Sequence, residues 1–150
     1  MSKIPLPFVD EQMKPLGPWD FILEMEVRDY ELDSQGIVNN ATYLNYYEHC
    51  RHRYLDYRGI HFTFLQEQGI DPVVSEVRIK YLHSLRSRDR FFVYLIWQPK
   101  GRFKQQFKQE IRLPDGTLVS QADFTVATLI HGKIGFSQQL IEMLETNGRE

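Results

Sequence analysis

The chain has 150 residues, of which 42% are hydrophobic, with 18 Lys and Arg against 20 Asp and Glu. This length suits one compact domain with a sizeable core, and the nearly balanced charge argues against a general nucleic-acid-binding protein or an acidic disordered tail. The single cysteine, Cys50, cannot form an internal disulfide bond, which is typical of a reducing compartment, so a cytoplasmic protein is expected.

The first part of the sequence is rich in proline. Residues 1–18 contain four of the seven prolines and are predicted to form an extended arm, ahead of a single domain at 19–150. This N-terminus has no long apolar stretch, which argues against a signal peptide. No part of the sequence approaches the roughly 18 apolar residues that a membrane-spanning helix needs, so no membrane span is expected.

A strand and a long helix are predicted next. Apolar residues alternate from Phe21 to Val27, which predicts a strand with one buried face. Asn39 or Asn40 is expected to cap the helix that follows, and Gly59 stands where it should stop. One face of this helix collects residues at intervals of four and three, namely Tyr43, Tyr47, Cys50, Tyr54 and Tyr57.

The remaining sequence has the patterns of strands and one short helix. Alternation predicts three strands, near residues 77–82, 103–113 and 118–130. The continuous apolar run 91–97 is typical of a strand covered on both faces, and an amphipathic helix is predicted near 137–146. A turn is predicted at Pro114-Asp115-Gly116. This order of elements predicts an α+β fold, in which an antiparallel sheet packs around the long helix.

The segment from Asp29 to Arg51 carries the strongest functional signal. Asp33 is followed by a turn that contains Gly36 and then by the start of the predicted helix, where free backbone N–H groups favour negative charge. A carboxylate beside such a position is suited to acyl-transfer chemistry. The same residues also fit an exposed loop aspartate that precedes a capped helix, so this pattern alone leaves both interpretations open.

Basic residues are concentrated in one part of the chain. Between Arg78 and Arg112, ten basic residues are opposed only by Asp89 and Glu110, which gives this segment a net charge of +8. The segment is interpreted either as the solvated faces of strands or as a docking surface for a phosphorylated ligand.

No metal site is predicted. His49 and His52 lie near Glu48 on the predicted helix, but two histidines without a third ligand at matching spacing are more typical of surface residues. Cys50 falls on the apolar face of the helix and is expected to be a core residue rather than a nucleophile.

Two spaced patterns identify a family resemblance, Asp-x-x-Gly-x-Val-x-x-x-x-Tyr and a later Glu-x-x-Arg. The residues that carry it are Tyr30, Asp33, Gly36, Val38, Asn40, Tyr43, Leu44, Glu48 and Arg51, followed by Tyr81 and Asp89. With them the chain resembles the hotdog-fold acyl-CoA thioesterases of the 4-hydroxybenzoyl-CoA type over about residues 20–132. The resemblance implies a curved antiparallel sheet wrapped around one long central helix. It also implies hydrolysis of a fatty or aromatic acyl-CoA, without a metal or any cofactor besides the CoA of the substrate.

The resemblance also implies roles for particular residues. In this family the aspartate at the position of Asp33, next to the turn at Gly36, acts as the nucleophile or as the general base for water. A backbone N–H near Asn40 polarises the thioester carbonyl, which stabilises the developing oxyanion. Because an asparagine cannot exchange protons near pH 7, Asp33 is expected to do most of the acid–base work. Glu48 is an alternative catalytic carboxylate, although a structural role as the partner of Arg51 or of a backbone group is favoured.

The groups that bind CoA are expected from the charge of the chain, and the assembly is expected from the resemblance. Arg86 and Arg88, in the +8 segment, are the expected ligands of the CoA phosphates. Relatives join two protomers edge to edge with the acyl-CoA site between them, so a homodimer or homotetramer is expected. The apolar strand 91–97 favours the same conclusion, since a small monomer would struggle to cover it.

Two alternative functions stay open. The first is a non-catalytic hotdog protein that binds acyl-CoA without hydrolysing it, because a fold does not fix a function. The second is an acyl-carrier-protein thioesterase, since those enzymes share the string Val38-Asn39-Asn40. A hydratase of the same fold is a more distant alternative, because it would carry a histidine at position 38.

Overall fold

The computed structural model describes residues 17–146, so the predicted arm at 1–18 lies almost entirely outside the described residues. The elements are β1 (Phe21–Glu26), a 3₁₀ turn (Asp29–Glu31), α1 (Asn40–Tyr57), α2 (Phe62–Glu67), β2 (Ile70–Tyr81), β3 (Arg90–Lys100), β4 (Lys104–Arg112), β5 (Leu118–Ile130), β6 (Lys133–Ile134) and α3 (Gln138–Thr146). The strands form one antiparallel sheet in the order β1-β3-β4-β5-β2, and β6 pairs with the end of β5. No helix between residues 17 and 146 is long and apolar enough to cross a membrane.

The long helix α1 packs against the curved sheet, which confirms the predicted hotdog fold. Asn39 caps its N-terminus, where the side chain accepts a hydrogen bond from the Ala41 N–H at 2.9 Å. Gly59 follows its end with a φ of +74°. The helix buries Tyr43, Tyr46, Tyr47, Cys50, Tyr54 and Leu55.

The buried face of α1 differs from the predicted one at two positions. Tyr57 is 53% exposed, because it occupies the last position of the helix, where the chain turns away at Gly59. Tyr46 is instead 1% exposed, although the predicted face did not include it. Tyr46 lies three residues after Tyr43 and four residues before Cys50, and this helical spacing could have placed it on the buried face.

The strands predicted after the helix are confirmed, together with the turn at Pro114–Gly116 and the final helix. The alternation in β4 places Phe107 and Ile111 in the core as predicted. The same inner face also buries Gln105 and Gln109, two polar residues that the apolar pattern did not reveal.

The apolar strand β3 is covered within the single chain. Its inner residues belong to the core, and Phe92 and Tyr94 on its outer face are only 1% and 2% exposed. The ring of Trp19, which precedes β1, lies 5.0 Å from the ring of Tyr94. The expectation that this strand needs a second protomer to cover it is therefore wrong. The sheet edges at β1 and β2 have no partner strand within the described chain.

The sequence patterns missed α2, β6 and the first half of β2. Helix α2 has six residues, which is too short for a helical periodicity to be recognised. In β2, Pro72 and a register shift between Val74 and Glu76 interrupt the alternation.

Candidate active site

Asp33 opens a tight hairpin that leads into α1. Its N–H donates to the Ile37 carbonyl at 2.8 Å, and its carbonyl accepts from the Gly36 N–H at 3.1 Å. Gly36 has a φ of +76°, a conformation that favours glycine. The Asp33 Oδ1 accepts from the Gln35 N–H at 2.8 Å, whereas Oδ2 takes no hydrogen bond from the described residues. The hairpin therefore holds a half-buried carboxylate by one oxygen and leaves the other available.

The helix N-terminus that follows offers a free donor. Asn40 is the first residue of α1 and is exposed, and its N–H donates to none of the described residues. Its carbonyl is held by the Tyr81 hydroxyl, which donates to it at 3.2 Å. A free N–H at the positive end of a helix is suited to stabilise an oxyanion, as the sequence predicted for this position.

A nearly buried carboxylate, Glu31, joins this hairpin to the helix. Its Oε1 accepts from the Tyr46 hydroxyl at 2.9 Å and from the Arg28 N–H at 2.8 Å. Its backbone carbonyl accepts from the Asn39 N–H at 3.1 Å. Burial and the hydrogen bond to Glu31 raise the pKa of Tyr46, so this hydroxyl remains a donor. Sequence reasoning did not identify Glu31 or Tyr46 as positioning residues for the site.

Arg86 lies beside the Asp33 hairpin. Ile37 and Arg86 form an isolated antiparallel bridge, and the Val38 N–H donates to the Leu85 carbonyl at 2.9 Å. The Arg86 N–H in turn donates to Asp89 Oδ2 at 2.9 Å, which closes the loop. The structure thus pairs the loop of Arg86 with the hairpin that Asp33 opens, although the two segments lie about fifty positions apart in the sequence.

Arg88 is placed in different surroundings, although it is only two residues away. It has a φ of 63°, and its N–H donates to the Val27 carbonyl at 3.2 Å. It borders a surface hollow with three carboxylates, those of Glu24, Glu26 and Asp29. The same hollow is also lined by Arg28 and His49, so its charge is mixed.

The +8 segment does not form one cationic surface. Arg90 pairs with Glu24 across the β1–β3 ladder, and the Arg112 Nε lies 2.6 Å from Glu110 Oε2. On the outer face of the sheet, Asp123 of β5 lies in register between a lysine and an arginine, Lys108 and Arg78. Most of the segment therefore matches the interpretation as solvated strand faces.

Glu48 lies away from Asp33, at the mouth of a separate cleft. It follows Asn40 by eight residues, a rise of about 12 Å along the helix. Its Oε1 lies 3.6 Å from the Nε2 of His52, and both side chains are about half exposed. The cleft has a volume of about 250 Å³ and runs between α1, α2, α3 and the inner face of the sheet. Its apolar lining consists of Leu55, Phe62, Leu65, Pro72, Val74, Phe107, Val126, Leu140 and Leu144.

Arg51 also lines this cleft and is only 8% exposed. Its guanidinium carbon lies 4.1 Å from the centroid of the Phe124 ring, and its Nη1 donates to Gln109 Oε1 at 3.1 Å. Burial lowers the pKa of Arg51 to about 10, so the side chain stays charged at neutral pH. Arg51 makes no ion pair with any described residue, so the expected pairing with Glu48 is not formed. Arg51 binds Gln109 instead, and Glu48 lies beside His52.

Comparison with known proteins places these features in a family. Two chloroplastic acyl-acyl carrier protein thioesterases of Arabidopsis thaliana are each 46% identical to this chain. One match covers 108 residues, 71% of this chain and 57% of the relative. The other covers 71 residues, 47% of this chain and 37% of the relative. In these matches the chain spans about half the length of its relatives or less.

A solved structure and a family model extend the comparison. The crystal structure of a hypothetical protein from Aquifex aeolicus superposes with a TM-score of 0.78 at 28% sequence identity, and the match covers 83% of this chain and 99% of that one. The model of the thioesterase-like superfamily matches residues 27–141, which include the Asp33 hairpin, α1 and the four long strands β2 to β5, but not β1. The chain therefore belongs to the thioesterase-like superfamily.

Proposed function

We propose that this protein hydrolyses acyl thioesters, with the catalytic groups at the junction between the Asp33 hairpin and α1. The observation that carries the proposal is the combination of an available carboxylate oxygen on Asp33 with a free backbone N–H on Asn40. Hydrolysis of a thioester needs both of these groups, one to attack or to activate water and one to stabilise the oxyanion.

The reaction begins when the thioester carbonyl oxygen accepts a hydrogen bond from the Asn40 N–H. The carboxylate of Asp33 then attacks the carbonyl carbon, or it takes a proton from a water molecule that attacks instead. In both routes the carbon–sulfur bond breaks, and the thiolate leaves and is protonated. In the first route this leaves an anhydride between the acyl group and Asp33, which water then hydrolyses to release the acid and restore the carboxylate. In the second route the attacking water supplies the oxygen of the acid directly, and its proton passes through Asp33 to the thiolate. Gly36 contributes by allowing the turn that holds Asp33 in place. Glu48 is too far along α1 to take part in the same chain's site.

The substrate is proposed to be a fatty or aromatic acyl-CoA, whose phosphates bind Arg86 and, more weakly, Arg88. Arg86 is favoured because its loop pairs with the Asp33 hairpin. An acyl group on an acyl carrier protein is the second candidate. It is favoured by the 46% identity to two relatives that are named acyl-acyl carrier protein thioesterases.

Assembly into a homodimer or homotetramer is part of the proposal. The edge strand β2 exposes Val73, Val74 and Val77, and no described strand covers its free edge. The cleft also opens about 12 Å along α1 from Asn40, so the cleft and the Asp33 hairpin are separate within one chain. A second copy across the β2 edge would allow Asp33 of one protomer to face the cleft of the other.

Release of free thiol tests the activity and the carrier together. Acyl-CoAs of several chain lengths, an aroyl-CoA, and acyl carrier protein loaded with the same acyl groups should be compared under one set of conditions. Thiol release from any of them supports the proposal, and the ratio of kcat/KM values for a matched acyl group identifies the carrier. Binding of acyl-CoA without any release of thiol would show the non-catalytic alternative to be correct.

A further inference from the structure

We propose that Arg58, at the carboxyl end of α1, forms a binding site for a small organic carboxylate that carries an apolar group. Arg58 is only 3% exposed, and its Nε and Nη1 have no hydrogen-bond partner among the described residues. It does not line the cleft, and it lies about 27 Å along the helix from Asn40. Such a site is separate from the candidate active site and does not depend on the proposed hydrolysis.

The two nitrogens without partners make the buried guanidinium unfavourable as it stands. A guanidinium keeps its charge at physiological pH and has five N–H donors and no acceptor. Burying such a group without acceptors is costly. The rings of Tyr54 and Tyr57 compensate in part, since the guanidinium carbon lies 5.0 Å and 5.8 Å from their centroids. They leave Nε and Nη1 without acceptors, so a bound anion would stabilise this arrangement.

The groups nearest to Arg58 in the sequence are engaged elsewhere. In the last turn of α1, the carbonyls of Tyr54, Leu55 and Asp56 accept backbone N–H groups at 3.0, 2.8 and 2.9 Å. The Asp56 carboxylate lies 3.9 Å from the Nδ1 of His61. No acidic side chain of the described residues forms an ion pair with Arg58. The missing acceptors therefore have to come from a bound molecule or from water.

The aromatic rings beside Arg58 indicate what kind of anion suits it. The ring of Phe21 lies 5.8 Å from that of Tyr54 and 5.6 Å from that of Tyr57. Tyr57 is 53% exposed and Phe21 is partly buried, so apolar surface that solvent can reach borders the guanidinium. Rotation of the exposed Tyr57 side chain would open a path to the buried nitrogens.

The number of cations also bears on the ligand. A carboxylate carries one negative charge and accepts hydrogen bonds on both oxygens, which matches the charge and the free donors of one guanidinium. An apolar group next to the carboxylate would pack against Phe21 and Tyr57. Benzoate has both features and serves as the probe.

Calorimetric titration with benzoate tests the site directly. The protein is first saturated with an alkyl-CoA thioether, which cannot be hydrolysed and fills the proposed active site. We expect benzoate to bind the wild-type protein more tightly than succinate, which has no apolar group, and more tightly than benzamide, which has no charge. In Arg58→Met the affinity for benzoate should fall by about tenfold or more, as expected for the loss of a hydrogen bond between charged groups.

Thermal unfolding supplies a second measurement. Without ligand, Arg58→Met should be at least as stable as the wild type, because methionine buries no unpartnered donor. Saturating benzoate should raise the Tm of the wild type but not that of the variant. If Arg58→Met does not fold, Arg58→Lys keeps the charge but lacks the planar guanidinium, and it should also weaken benzoate binding.

Arg53→Met is the matched control. Arg53 lies on the same helix but is exposed, so this variant should bind benzoate as tightly as the wild type does. Failure of benzoate to bind the wild type, or equal affinities in the wild type and in Arg58→Met, would mean that water satisfies the guanidinium and would overturn the inference. Binding of succinate or benzamide as tight as that of benzoate would overturn the assigned class of ligand.

Discussion

Tyr46 donates a hydrogen bond of 2.9 Å to Glu31, and this contact ties the second turn of α1 to the segment that leads into the Asp33 hairpin. Glu31 also accepts from the Asn39 N–H through its backbone carbonyl, so one residue fixes both the start of the helix and its approach. The hydrogen bond between Tyr46 and Glu31 therefore helps to position both the Asp33 carboxylate and the Asn40 N–H, although neither group takes part in it.

Replacing Tyr46 with Phe should lower kcat as well as the free energy of unfolding. The variant loses a hydrogen bond to a carboxylate, for which we expect a loss of about 1.5–3 kcal/mol in the free energy of unfolding. Because the hairpin loses an anchor, kcat should fall by about tenfold, in line with the cost of small misplacements at reacting groups. Urea denaturation and thiol-release kinetics measure the two effects.

Tyr47→Phe is the control for Tyr46→Phe. Tyr47 is equally buried on α1, but its hydroxyl donates to Ser120 of β5 at 2.7 Å, away from the hairpin. This variant should lose about 1 kcal/mol of stability with little change in kcat. If the two variants lose the same fraction of kcat, the positioning role of Tyr46 is wrong.

Asp33→Asn should keep the fold and lower turnover by a factor of about 10² or more. The asparagine side-chain oxygen can still accept from the Gln35 N–H, so the turn is retained, but the residue no longer serves as a base or a nucleophile. Asp115→Asn is the matched control, since Asp115 makes the same kind of turn with the Thr117 N–H at 2.9 Å, in the connection between β4 and β5. A wild-type rate in Asp33→Asn removes Asp33 from the mechanism.

Arg86→Ala should raise KM several-fold with little change in kcat, because a phosphate-binding cation contributes to substrate binding more than to the chemical step. The difference from wild type should be larger at low salt, where charges are less screened. Arg88→Asn is the comparison, since asparagine tolerates the left-handed backbone at this position, and its effect should be smaller. An unchanged KM in Arg86→Ala would identify this loop as an ordinary solvated segment.

Self-association through β2 should be sensitive to charge at its edge. Val77→Lys places a cation on the exposed strand and should shift sedimentation towards the monomer, with a parallel loss of activity. Ile134→Lys changes a similarly exposed apolar residue on β6 and should leave assembly intact. A fully active wild-type species with the 17.9 kDa mass of one chain would contradict the shared site.

The single thiol, that of Cys50, should not react with thiol reagents in the native protein. Cys50 is fully buried, and burial raises its pKa to about 12, so at pH 8 it is neither accessible nor ionised. A thiol reagent should therefore detect no protein thiol under native conditions and one per chain in denaturant. Rapid native labelling would indicate that α1 separates from the sheet, and it would also add background to the thiol-release assay.

The candidate site could be predicted from the sequence only in part. The spacing of Asp33 and Gly36 and the Asn39 cap depend on a few neighbouring residues, and the structure shows the turn and the cap that they predict. The surroundings of Arg86 and Arg88 could not be predicted in this way. Arg86 and Arg88 are only two positions apart in the sequence. In the structure, however, Arg86 pairs with Ile37 and Arg88 pairs with Val27, so they lie on different surfaces.

The sequence by itself determined the α+β architecture, an antiparallel sheet around one long helix, because the alternation in β4 and β5 and the spacing of the tyrosines in α1 report which face of each element is buried. Only the tertiary structure decided how the polar residues are used. Arginine and glutamine are residue types that usually lie on a protein surface. Here Arg51, Gln105 and Gln109 are buried, because hydrogen-bond partners on other elements satisfy them. Hydrophobic periodicity registers which face is apolar, but a hydrogen bond between distant segments leaves no periodic signal in the sequence.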